Sequence, residues 1–221
     1  MSATDFAEGA FATGGSYAQI VEHFTHTAKL REVFTFLFAI ESRPRVPGKQ
    51  EPIIEPPDEA VDHVRGPADA RLIVEYGDYE CPYSRQAYRA IERVERRLSE
   101  GVRFAFRHFP LTEIHPHALA ASRAAEAAAL QGRFWEMHEM LFRRQLALAD
   151  DDLRRYAGEL GLELARFDGD RSGDAALRRV RRDVRSGEAS GEVHGTPTLF
   201  IDGVVHPGGY DAPALLEALV R

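Results

Sequence analysis

Leu72-Ile73-Val74-Glu75-Tyr76-Gly77-Asp78-Tyr79-Glu80-Cys81-Pro82-Tyr83-Ser84 runs from an apolar stretch, through a polar turn, to the head of a helix. Leu72 to Tyr76 reads as a buried strand, and Gly77-Asp78-Tyr79-Glu80 as the turn after it. Pro82 suits the first turn of a helix, where its missing N–H costs nothing. Cys81, the only cysteine in 221 residues, therefore stands at a helix start. Unpaired N–H groups and the peptide dipoles there favour a thiolate over a thiol. The adjacent Glu80 acts in the opposite direction, by an amount set by where it points. A strand–turn–Cys–Pro arrangement predicts a sulfur open to solvent rather than an inert buried thiol.

Working outward, the helix from Pro82 is expected to run to Leu98 and close around Gly101. Val102 to Phe109 alternates as a second strand, with Val102, Phe104 and Phe106 on one side, and Pro110 ends it. From His115 to Gly187 no strand pattern occurs. Four helices are predicted there: Pro116–Leu130, Phe134–Phe142, one capped by Asp150 or Asp151 and stopping at Gly161, and Asp174–Arg185. A block of about 70 residues without strands is too long for a loop and is read as a helical subdomain over about 113–190. Thr198–Ile201, the Asp202-Gly203 turn and Val204–His206 then form a hairpin, and Asp211 caps a last helix ending near Val220.

Upstream, residues 1–16 are small and Gly-rich, and Tyr17–Ile40 is partly helical in pattern. Six of the 12 prolines lie between Pro44 and Pro67, which predicts an extended linker. The apolar run Val33–Ile40 needs cover from the main domain or from a second copy of the chain. The division is thus an arm and linker over 1–61 and a main domain over 62–221, with a homodimer through the arm as the expected assembly.

A net charge of −7 argues against a general nucleic-acid binder. No apolar run approaches the roughly 20 residues of a membrane span, and the N-terminus has no secretory pattern. A lone cysteine can make no disulfide within the chain, so a cytoplasmic setting is expected. His115-Pro116-His117, with His108 nearby, lacks a metal-ligand pattern and is read as polar capping of the first inserted helix, so no metal is expected. Thr112, Glu113 and His117 are candidates to line a cleft beside that helix. Phe134, Trp135, Met137 and Met140 are read as core, and the basic run Arg178, Arg179, Arg181, Arg182, Arg185 as a solvated helix face.

Cys81-Pro82-Tyr83-Ser84, the helical block and Gly195-Thr196-Pro197-Thr198 resemble the DsbA-like branch of the thioredoxin superfamily. Asp62–Ala70, Phe106–Leu111 and Gly132–His138 fit the same resemblance, which covers residues 62–221. It implies an α/β thioredoxin-like fold with an inserted helical subdomain. It also implies a cis Pro197 facing Cys81, with the Thr196 backbone pairing to an extended substrate. Cys81, Pro82, Tyr83 and Ser84 would be catalytic, and Thr196 and Pro197 would bind substrate. Ser84 departs from the dithiol members, which carry their second cysteine at that position. Ser84 is either a remnant of drift, a hydroxyl bonded to the thiolate, or an engineered replacement.

The leading expectation is a monothiol thiol–disulfide oxidoreductase. Its Cys81 would form mixed disulfides with a protein disulfide or a glutathione-type thiol. No cofactor is expected beyond glutathione as a co-substrate. Kappa-type glutathione transferases and related isomerases share this core and offer a second reading. A non-catalytic binding or dimerisation module offers a third.

Overall fold

The computed structural model describes residues 53–220 except Glu100. The expected arm helix and arm-mediated dimer lie outside the described residues.

Five strands form one sheet: β1 (His63–Arg65), β2 (Arg71–Gly77), β3 (Val102–His108), β4 (Thr198–Ile201) and β5 (Val204–Val205). Their spatial order is β1-β3-β2-β4-β5. β2 and β3 are parallel, so the chain must cross over between them, and α1 (Pro82–Leu98) makes that crossover. The remaining pairs are antiparallel. β2 is buried on both faces, which explains its nearly continuous apolar run. Ile73 joins a large core with Phe104 and Phe106 of β3, Ile91 and Val94 of α1, and the inserted helices. Val74 and Tyr76 join a smaller cluster on the other face, with Ala105, Val193, Phe200 and Ile54.

The insertion holds five helices, not four: α2 (Ala118–Ala129), α3 (Phe134–Arg143), α4 (Asp150–Glu159), α5 (Leu164–Ser172) and α6 (Asp174–Ser190). α5 escaped sequence reading because it buries only Phe167. Its start is set by Glu163, whose carboxylate accepts from Ala165 N and Arg166 N. The N-cap of α4 is Ala149 rather than the expected Asp150 or Asp151, and Asp150, Asp151 and Asp152 all lie in its first turn. That arrangement suits the positive end of the helix dipole. Phe134 and Met137 are buried, and Trp135 and Met140 pack against the same core, as their spacing predicted. In α7 (Ala212–Val220) the Asp211 carboxylate accepts from Ala214 N at 2.9 Å, as expected of a cap.

The basic run on α6 is not simply a solvated face. Arg179 and Arg182 reach the buried Asp62, which also takes Arg107 Nη2 at 3.2 Å. Burial alone would raise the Asp62 carboxyl, but Arg107 and Arg179 hold it below the ordinary carboxylate value. This cluster, with Ile53 N donating to Gly203 O at 2.7 Å, ties the residues ahead of β1 to the domain.

Candidate active site

Three chain segments meet at one end of the sheet because of strand register. β2 and β4 are antiparallel with Tyr76 opposite Thr198, so residues 196 and 197 lie beside the turn that leaves β2. β3 ends at the same side, with Gly77 opposite His108 and Phe109 N donating to Gly77 O at 2.9 Å. The cysteine, the bend before β4 and the loop after β3 are thereby brought together.

Cys81 is the N-cap of α1 and Pro82 occupies its first turn. The Thr196–Pro197 peptide bond is cis, as the resemblance implied. Cys81 Sγ donates to the Thr196 carbonyl at 3.2 Å, across 115 residues of sequence. One expectation is corrected here: Cys81 is not open to solvent but only 3% exposed. The Thr196 carbonyl that it meets lies 115 residues away, and sequence spacing carries no trace of so distant a contact. Tyr83, by contrast, is 56% exposed, and its ring meets Tyr210 edge-on at 6.4 Å between centroids. Thr196 Oγ1 is buried without a partner.

The turn that carries the sulfur is locked from both sides. The buried Asp78 carboxylate accepts from Glu80 N at 2.8 Å, Leu111 N at 2.9 Å and His115 Nδ1 at 2.8 Å. Its own N–H donates to Ser84 Oγ at 3.2 Å. Ser84 is therefore buried and engaged with the turn, and the described hydrogen bonds join it to Asp78 rather than to Cys81. From the other side Gln145, in the turn after α3, donates to the carbonyls of Tyr79 and Cys81 at 2.7 and 2.8 Å. Glu80 turns toward α2, where its carboxylate accepts from His117 N at 2.6 Å and meets His117 Nδ1 at 2.8 Å. His115 and His117 thus join the insertion to the cysteine turn, a tighter role than capping. Thr112 and Glu113 are exposed on the loop between β3 and α2.

Glu75, six residues before Cys81, was not singled out by sequence reading. It is fully buried with both carboxylate oxygens unpartnered. Burial pushes its carboxyl up to about 8, against the opposing pull of Arg65. The available signal was a carboxylate inside an apolar strand. Gln145 left no signal of any kind.

Among the described residues, the cluster whose donor atoms lie close enough to share a cation is His63, His108 and Glu126, all within 4.8 Å. Both imidazole Nε2 atoms stand 2.7 Å from the same Glu126 oxygen, which is hydrogen-bond geometry. Burial alone would raise the Glu126 carboxyl, but these two histidines hold it well below the usual range. The trio links β1, β3 and α2.

This fold, with a helix-capping cysteine facing a cis proline, defines a thioredoxin-fold protein of the DsbA-like type. The chain belongs to the thioredoxin family, whose profile, described as Thioredoxin, matches residues 58–219. Among solved structures it is similar to BdbD from Bacillus subtilis in its oxidised form. That likeness has a TM-score of 0.67 and 20% identity, over 77% of this chain and 97% of that one. It is also similar to a thioredoxin-like oxidoreductase from Silicibacter pomeroyi, with a TM-score of 0.66 and 24% identity, over 74% and 92% of the two chains. A curated relative from Mycolicibacterium vanbaalenii, named Na(+)/H(+) antiporter NhaA 1, is 44% identical over 170 residues. The match covers 76% of this chain but 27% of that relative, so the chain spans about a quarter of its length. No helix among the described residues is long and apolar enough to cross a membrane.

Proposed function

We propose that the protein is a thiol–disulfide oxidoreductase that works through Cys81 alone. The placement of the chain's one thiol at the N-cap of α1, 3.2 Å from the carbonyl that precedes cis Pro197, carries this reading. The fold is shared with the thiol-disulfide exchange protein alpha-DsbA2 of Wolbachia pipientis, which supports the same reading. Cys81 would attack one sulfur of a substrate disulfide. The S–S bond breaks, a Cys81–substrate mixed disulfide forms, and the second substrate sulfur leaves as a thiolate that takes up the proton. With Ser84 one helical turn on, these 221 residues hold no second thiol to resolve this adduct. An external thiol such as glutathione would attack it, returning Cys81 to the reduced state and carrying the substrate sulfur into a new disulfide.

The cover over Cys81 belongs to this reading. A substrate strand laid against residue 196 would displace the Sγ–carbonyl hydrogen bond and reach the sulfur at the same moment. The test is turnover of a glutathionylated protein by reduced glutathione, followed for wild type and Cys81→Ser. Catalysed release that disappears in the variant supports the proposal. Catalysis surviving the substitution contradicts it, and conjugation to an aromatic electrophile surviving it would favour the transferase reading instead.

A further inference from the structure

α1 carries Arg85, Arg89, Arg93 and Arg97 at strict four-residue spacing, so they line one face of the helix that Cys81 caps. The stripe is about 18 Å long from first to last arginine. Neighbouring like charges at this spacing repel. Among the described residues no acidic group pairs with any of the four, although the chain as a whole carries −7. A fifth, Arg96, reaches Glu92 only at 4.0 Å. The helix dipole accounts for cations in the last turn but disfavours Arg85 in the first. Other exposed arginines are paired, Arg144 with Glu159 and Arg154 with Asp168, while Arg178, Arg181 and Arg185 of α6 are exposed and stand outside the described ion pairs. The surface beside the stripe is concave. Arg93, Arg96 and Arg97 rim a cleft of about 490 Å³ whose other wall is Ala212, Pro213 and Leu216 of α7. Arg85 lines a second cleft, of about 460 Å³, together with Gln145, which bonds the Cys81 carbonyl.

We propose that this stripe docks an acidic segment of the disulfide-bearing substrate. It would run from the sulfur along α1 with carboxylates set against successive arginines. The inference rests on the thiol-exchange reading above and adds the substrate's charge class to it. Clefts flanking the arginines fit a polypeptide better than a flat anionic surface.

The experiment uses two peptides, each with one cysteine disulfide-bonded to thionitrobenzoate. One has glutamates on both sides of the cysteine and the other has glutamines. Attack by Cys81 breaks the S–S bond, joins protein to peptide and releases coloured thionitrobenzoate. At low ionic strength the acidic peptide should react roughly tenfold faster, with the excess falling as salt rises. The ratio of the two rates should collapse toward one in Arg89→Glu/Arg93→Glu, whose exposed side chains make folding failure an improbable confounder, checked by circular dichroism. Equal rates in the wild type, or a ratio untouched by the double substitution, overturn the proposal. If neither peptide reacts, the thiol-exchange reading fails. Docking is then judged by anisotropy of a labelled acidic peptide without cysteine on Cys81→Ala protein. Binding that Arg89→Glu/Arg93→Glu abolishes sustains the docking site, and no binding overturns it. Capture of anionic phosphatidylglycerol vesicles without peptide binding also overturns it.

Discussion

Ser84 is the residue whose type in the sequence said most about mechanism and least about structure. Its position marks the missing second thiol, but its hydroxyl serves the turn, accepting the buried Asp78 N–H. Ser84→Ala leaves that N–H unsatisfied and should cost about 1–3 kcal/mol of stability. Chemical denaturation reads this directly, and an unchanged midpoint would show that the bond is replaced. Glu75 makes a second prediction at this scale. Its carboxyl titrates near 8 when folded and near 4.5 when exposed, so the folded state binds the proton more tightly. The stability this contributes is full below about pH 4.5 and is lost as pH rises through about 8. Wild type should therefore lose several kcal/mol across that window relative to Glu75→Gln, the slope difference being the signal. Parallel stability–pH curves for the two proteins would refute the assignment. Sequence reading passed over Glu75 because its apolar neighbours decide the strand, and nothing local shows that no cation lies close enough to pair with it.

At the scale of elements, the turn between β2 and α1 is held by groups from three other places: the loop after β3, the start of α2 and the turn after α3. Asp78 is the centre of this arrangement. Asp78→Ala orphans three donors at once and should destabilise the domain by about 3 kcal/mol or more. It should also slow mixed-disulfide formation at Cys81, because the turn would no longer fix the sulfur. A variant as stable and as reactive as wild type would show that the turn holds itself. Local chemistry made α1 legible, since Pro82 and Gly101 bound it and the helix runs over the expected Pro82–Leu98. The hairpin was legible for the same reason, through Asp202-Gly203. What was not legible depends on partners far along the chain. Arg179 looked like one more solvated cation until Asp62, 117 residues away, came to lie beside it. The cover over Cys81 is of the same kind.

Across the whole molecule, two clusters on opposite faces of one sheet hold a site at the sheet's end, where strand register rather than sequence proximity assembles it. The resemblance implied a cis Pro197, and the Thr196–Pro197 bond is cis. It could not supply the degree of burial, the Gln145 clamp or the arginine stripe's lack of partners. Under the proposed function, a nearly covered thiol is nonetheless the reactive centre of the folded protein. Intact-mass measurement after exposure of native protein to oxidised glutathione tests it most directly. A single glutathione adduct per chain, mapped to Cys81 and removed by excess reduced glutathione, is the expected result. A Cys81 that stays unmodified in the folded protein and reacts only after denaturation would contradict it.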